Sequence, residues 1–226
     1  MNHILFVYFY LGSYLIGSIP FGLWIGRAFF KVDLRQRGSG NIGATNAWRE
    51  LGWKAGLPIF VLDMLKGLVP VAVARVMGAI ELMSNAAAYP NHVVGFSLPV
   101  APYHWLIVGS GLFAILGHNF SPFLKFKGGK GVATTMGVAL GLSWVAALAG
   151  FVVWAVILIA TRYMSVASLV GTPVGAAGIW LANGRTLPFG LFAILATLFV
   201  VVKHKSNIER LRSGTENRTV LWGKRP

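Results

Sequence analysis

Long apolar runs constrain this chain more than any other feature of it. They occupy 4–30, 57–79, 102–117, 144–161, 166–183 and 187–202. About 20 apolar residues in a helix cross the ~30 Å hydrocarbon layer of a bilayer, with a working range of roughly 17–25. Backbone N–H and C=O groups find no water in that layer, so such a run must satisfy them internally, as a helix does. Charged residues make up only 12% of the 226, about half the share of a soluble domain. The expectation is an all-α polytopic membrane protein, one domain over 1–226 with no repeat and no linker.

The stretch from 131 to 161 decides the number of helices. As one helix it would measure about 46 Å, well beyond the hydrocarbon layer. A break near Gly141–Ser143 leaves Gly131–Ser143 as a short apolar helix and gives about seven membrane helices, some short. Charge favours the odd number. With the N-terminus outside and the C-terminus cytoplasmic, all 20 Lys and Arg except Lys66, Arg75 and Arg185 fall on inner segments or, for Arg27, at the inner end of the first run, as the positive-inside rule prefers. A single crossing over 131–161 would put Arg162 and the basic tail on the wrong side. The inner segments are 31–56, 118–131, 162–165 and 203–212, followed by the tail 213–226, while the connection 80–103 lies outside. The run Ile4–Phe30 has neither a positive start nor a small-residue cleavage site, so it reads as a retained span rather than a signal peptide.

The net charge of +14 follows this membrane topology, which argues against a nucleic-acid-binding fold. Without cysteine there is no disulfide, thiolate nucleophile or Cys-held metal. Two inner loops carry the chemistry instead. Gly38-Ser39-Gly40-Asn41-Ile42-Gly43-Ala44-Thr45-Asn46 formally contains G-x-G-x-x-G, yet follows a membrane helix and not the strand a dinucleotide fold requires. Phe126-Lys127-Gly128-Gly129-Lys130-Gly131 lacks the Ser or Thr that would make it a Walker A sequence. Both retain the underlying physics: glycine-rich backbone can present successive N–H groups to an anion, and helix N-termini add partial positive charge. Arg49 follows Thr45 by four residues and shares its side of a short helix. Turn glycines with lipid-anchoring cations would explain one such loop; two on one face, each with Ser, Thr or Asn donors, point to an anion site.

Longer strings around these loops resemble a family. Gly38-Ser39-Gly40-Asn41-x-Gly43-x-Thr45-Asn46-x-x-Arg49 and Gly117-His118-x-x-x-Pro122-x-x-x-Phe126-Lys127-Gly128-Gly129-Lys130-Gly131-Val132-Ala133-Thr134 are similar to the first two motifs of the PlsY family, bacterial acyl-phosphate:glycerol-3-phosphate acyltransferases. Arg162-Tyr163-x-Ser165-x-x-Ser168 with His204-x-x-Asn207-x-x-Arg210 resembles the third. The likeness runs from about 10 to 212, leaving the tail after Gly214 without a recognised pattern. It implies transfer of a fatty acyl group from acyl phosphate to the 1-hydroxyl of glycerol 3-phosphate, in the inner membrane, with the site on the cytoplasmic face. It also implies membrane lipid and a soluble acyl-phosphate-producing enzyme as partners, with no cofactor and no nucleic acid. By resemblance Ser39, Asn41, Thr45, Arg49, Lys130, His204 and Asn207 are the catalytic set. Gly38, Gly40, Gly43, Asn46, Lys127, Gly128, Gly129, Gly131 and Ser165 bind substrate. The Gly38–Gly43 backbone would cradle the acyl phosphate, and Arg49, Lys130, His204 and Asn207 the glycerol phosphate.

No protein base stands out. Phe123 occupies the position five residues after His118 where an acyltransferase His-x-x-x-x-Asp dyad needs its carboxylate. Glu209 does stand at that spacing from His204, but positions five apart on a helix diverge by about 140°. The family is thought to use the donor's own phosphate as proton acceptor. Asp63 and Lys66, at i,i+3 within a span, are expected to form an ion pair, and His92 and His104 to lie on the outer surface. No His/Asp/Glu cluster has metal-ligand spacing. The rival from another class is a transporter or channel for an anionic phosphorylated solute, with the same loops as its gate.

Overall fold

Each apolar run becomes helix, and the breaks fall where backbone chemistry requires them. The structure, a computed structural model, describes residues 3–84 and 103–219; most of the outer connection 80–103, including His92, and the end of the tail 213–226 lie outside the described residues. The elements are α1 (His3–Ser18), α2 (Phe21–Phe30), α3 (Ala44–Leu51), α4 (Trp53–Ser84), α5 (His104–Asn119), α6 (Val132–Leu142), α7 (Trp144–Thr161), α8 (Met164–Ala182), α9 (Leu187–Lys203) and α10 (Lys205–Arg212). No strand occurs among the described residues. Pro20, which has no N–H to continue a helical ladder, separates α1 from α2.

Among the described residues five segments are long and apolar enough to cross a membrane: 4–30, α4, 104–124, α7 and α8. A sixth arises if α9 is taken with α10, across a bend of 57°. The 11 residues of α6 measure about 16 Å, roughly half of the hydrocarbon thickness. The expected seven therefore resolves into up to six candidate crossings and one half-length helix.

The break after α6 is stabilised from both sides. Ser143 is extended, and its hydroxyl accepts from the Ala146 N–H at 3.3 Å to cap α7. The Arg75 guanidinium donates to the Gly141 and Leu142 carbonyls at 2.5 and 3.5 Å, satisfying acceptors that a helix end would otherwise leave unpaired. Lys130, just before α6, is linked through Asn207 and Glu216 to Ser165 at the start of α8. Hence α6 and α7 leave one end of the bundle and return to it.

Small residues let the helices approach closely, as packing between apolar helices in lipid requires. Gly150 of α7 meets Gly175 of α8, and Gly137 of α6 lies against the Met64 carbonyl of α4. Leu106, Val138, Ile179 and Phe192 are fully buried at the centre. Trp144, Leu148, Val152 and Ile159 of α7 face outward. His104 departs from expectation: it is buried, with its ring edge-on to Phe189 at 5.0 Å, because α5 begins inside the bundle. The expected ion pair is present, with Asp63 Oδ1 2.7 Å from Lys66 Nζ and both side chains buried. Lys66 also donates to the Ile19 carbonyl at 2.8 Å, tying α4 to the break between α1 and α2.

Candidate functional site

The first loop is built around Asn46. Its amide N–H groups donate to the carbonyls of Leu34, Arg37 and Asn41, at 3.2, 3.1 and 2.8 Å, and its Oδ1 accepts from the Ser39 N–H at 3.0 Å. Asn46 is 3% exposed, so it braces the loop from inside and is not a substrate-facing donor. Asp33 fixes the loop's entrance by pairing with Arg27 and Arg35 at 2.7 and 2.6 Å. The Arg35 hydrogen bonds hold its carboxyl below the usual range.

Five of the loop N–H groups that the glycines suggest as an open cradle are bonded within the protein. In the first, the N–H groups of Ser39, Gly40 and Gly43 turn inward to Asn46 Oδ1, the Arg37 carbonyl and Asn41 Oδ1. In the second, Gly128 N–H donates to the Asn119 carbonyl and Gly129 N–H to the His118 carbonyl, at 3.2 and 3.1 Å. These bonds close the C-terminal end of α5. The glycines are needed for close approach: a Cβ at Gly128 would come 2.0 Å from the His118 carbonyl oxygen, and one at Gly129 2.2 Å from the His118 ring. Cationic side chains stand beside both loops.

Those side chains gather in one cleft of ≈ 190 Å³. Ser39, Gly40 and Asn41 line it from the first loop, Lys127, Gly128 and Lys130 from the second, all as expected. The first loop therefore shares a cleft with Lys130 and does not form a separate cradle. Gly38, Gly43, Thr45, Gly129 and Gly131 are not among its walls. Gly131 instead takes a left-handed φ of 77° to open α6, and Thr45 lies one turn before Arg49 on α3. Sequence reasoning gave no site role to Lys203 and Ser206, nor to Arg210 of the third motif, yet all three line the cleft. The positions 203, 206 and 210 have the i, i+3, i+7 spacing of one helical face in the sequence, although a 57° bend after Lys203 divides it.

A buried network backs Lys130. Its ammonium donates to Asn207 Oδ1 at 2.5 Å. The same Asn207 donates from Nδ2 to Glu216 Oε1 at 2.6 Å, and Ser165 donates to that oxygen at 2.8 Å. Arg210 Nε binds Glu216 Oε2 at 2.8 Å. Glu216, in the tail beyond the recognised motifs, is thus the hub of the expected Ser165–Asn207 set. Burial pushes its carboxyl up, but the bonds from Asn207, Ser165 and Arg210 outweigh this and hold it below the ordinary range. Burial pushes the Lys130 ammonium down to about 8, with Glu216 opposing and Arg210 and Arg49 reinforcing the shift. Arg49 reaches the same tail, 3.4 Å from both the Asn217 carbonyl and Thr219 Oγ1.

His204 is 2% exposed, its Nδ1 2.7 Å from the Val200 carbonyl. Burial, then the nearby Lys130, pushes its imidazole down to about 4. The ring is neutral near pH 7, so Nδ1–H donates to Val200. Such a weak base is poorly suited to deprotonate an alcohol.

Beside the cleft an apolar groove begins at Val132, two residues past Lys130, and follows α6 through Thr135, Met136 and Ala139. Gly150 of α7 with Gly171 and Gly175 of α8 form its opposite side, and Ile179 and Phe192 also line it. Polar cleft and apolar groove together suit a ligand with an anionic head and a hydrocarbon tail.

The family model described as glycerol-3-phosphate acyltransferase matches residues 7–214. The glycerol-3-phosphate acyltransferase of Geotalea daltonii is 42% identical over 207 residues, covering 92% of this chain and 94% of that protein. Its counterpart from Listeria monocytogenes serovar 1/2a is 41% identical over 210 residues, covering 93% and 94%. The crystal structure of PlsY, an integral membrane glycerol 3-phosphate acyltransferase, in its glycerol 3-phosphate form matches with a TM-score of 0.78 and 36% identity, over 95% of this chain and 96% of that one. The lysophosphatidic acid form matches at 0.74 and 35%, over 94% of each.

Proposed function

Since the chain belongs to the glycerol-3-phosphate acyltransferase family, we propose that the donor it uses is an acyl phosphate and that the cleft and groove described above are its active site. The 1-hydroxyl oxygen of glycerol 3-phosphate attacks the acyl carbonyl carbon, the bond from that carbon to the phosphate oxygen breaks, and lysophosphatidate and phosphate result. The observation that carries this reading is that Lys130 lines a polar cationic cleft while Val132, two residues further along the chain, lines an apolar groove.

An acyl phosphate is already an activated anhydride, so the protein's task is positioning and charge stabilisation. Ser39, Asn41, Lys127 and Lys130 hold the small phosphate-bearing acceptor in the water-facing cleft. The acyl chain lies along α6, with its phosphate near Lys130 and Arg49. His204 is too weak a base at about 4, which favours the donor's phosphate as acceptor of the hydroxyl proton. Asn207, held by Glu216, fixes the Lys130 ammonium beside the reacting groups. We place the site on the cytoplasmic face of a bacterial inner membrane with the N-terminus outside, because the basic residues cluster at the end of the bundle that carries the cleft. A soluble enzyme would supply the acyl phosphate from that side.

The test is purified protein in detergent with palmitoyl phosphate and glycerol 3-phosphate. Phosphate release should depend on both, and Arg49→Ala or Lys130→Ala should abolish it while thermal unfolding stays cooperative. Near-wild-type turnover in either variant would sink the assignment.

A further inference from the structure

The elbow between α9 and α10 brings a cation to the cleft that the reaction as derived leaves without a task. Lys203 ends α9, and Ser206 and Arg210 of α10, beyond the bend, line the same cleft. Its ammonium donates to the Asn119 carbonyl at 2.9 Å and reaches the Gly128 carbonyl at 3.5 Å. It also lies 4.9 Å from the centre of the Phe120 ring. An ammonium has three N–H donors, and both of these oxygen partners are neutral. Among the described residues no carboxylate comes within ion-pair distance of Lys203.

Arg210, lining that cleft, has its charge answered by Glu216. Lys127 and Lys203 face the same small cleft with no ion-pair partner among the described residues, and Lys130 reaches Glu216 only through Asn207. Like charges gathered in a partly dry site repel one another, and a multiply charged anion relieves that repulsion. Lys203 is also fastened to the second loop, whose Gly128 and Lys130 line the same cleft. A shift of this ammonium would therefore move the loop that carries Lys130.

We propose that Lys203 is a further substrate-contacting residue: its ammonium binds the phosphate of glycerol 3-phosphate while its bonds to the Asn119 and Gly128 carbonyls set the second loop around that phosphate. The inference rests on the acyltransferase reading above. It names glycerol 3-phosphate over acyl phosphate because the cleft that Lys203 lines is polar, whereas the groove for hydrocarbon is lined from Val132 onward and not by Lys203.

Lys203→Met removes the charge, Lys203→Gln keeps a donor for one carbonyl, and Lys203→Arg keeps the charge. A charge-assisted hydrogen bond lost from a partly buried site weakens binding roughly 10- to 100-fold. Met and Gln should therefore raise the KM for glycerol 3-phosphate by at least about tenfold, with smaller effects on kcat and on the KM for palmitoyl phosphate. Arg should recover most of the loss. The stabilisation of the full-length protein by glycerol 3-phosphate in a thermal-shift titration should weaken in parallel. That binding readout needs no acyl donor, so it separates failure of this inference from failure of the wild type to turn over. Unchanged KM and unchanged thermal shift in Lys203→Gln would overturn the proposal. So would a rise confined to the KM for palmitoyl phosphate, or a loss of kcat and melting temperature that Lys203→Arg does not restore. If Lys203→Met does not fold, Gln and Arg decide.

Discussion

Replacing Glu216 by Gln removes one negative charge from the back of the cleft and changes little in shape. The native carboxylate accepts from Asn207 and Ser165 on one oxygen and from Arg210 on the other. A Gln can keep the first pair only by turning its NH2 toward Arg210 Nε, donor against donor. The lost charged hydrogen bond is worth about 1.5–3 kcal/mol when buried, and less here because the Arg210 side chain is 36% exposed. The sharper consequence concerns Lys130, which holds the other end of the Asn207 amide. Across that amide the two charges lie roughly 7 Å apart, worth about 2 kcal/mol at an effective dielectric near 20. That corresponds to roughly one to two pKa units. Lys130 already stands at about 8 because burial lowers it, with Glu216 opposing. Without Glu216 the ammonium loses its proton at lower pH. If the protonated form is the active one, the alkaline limb of kcat/KM moves down by the same amount. The assay is phosphate release across pH 5 to ~9.5 in wild type and Glu216→Gln, beside thermal unfolding of both. A folded variant whose alkaline limb stays in place, or moves up, would refute the Glu216–Asn207–Lys130 linkage.

Gly129→Ala should place a methyl against the His118 ring, where a Cβ would lie 2.2 Å from Nε2; a loop shift of about 1 Å costs on the order of 100-fold in kcat/KM, and near-normal kinetics would contradict the packing. His204 should remain neutral down to about pH 5, since its imidazole stands at about 4; ring-labelled histidine NMR showing it titrate near 6.5 would remove the argument against a protein base. Lys66→Met should strand the buried Asp63 carboxylate and cost about 3–5 kcal/mol, which Asp63→Asn combined with Lys66→Met should largely restore. Thermal unfolding in detergent reads both variants, and equal stability of the single and double variants would mean that the pair is uncoupled.

The helical plan was legible because lipid leaves the backbone few options. The excess length of 131–161 required a break, and it falls at Ser143. The residues around Lys130 were legible too, since cations and glycines between apolar runs have few structural uses. What the sequence could not show was which way each polar group turns. Asn46 looks like a donor in a glycine-rich anion loop, yet its four hydrogen bonds all go to its own loop. Gly128 and Gly129 look like an anion cradle, yet their N–H groups close the end of α5. His104 looks like a surface residue beside a polar connection, but α5 begins inside the bundle.

The sequence by itself determined the solvent, the helices and the two loops, because hydropathy, run length and glycine content act locally. Only the tertiary structure decided the site's charge pattern, because Lys203 and Glu216 acquire their partners at separations of 84 residues from Asn119 and 51 from Ser165. No local rule reads contacts of that range. They exist because α6 stops halfway, α7 returns to the same end, and the tail folds back over Asn207 and Arg49.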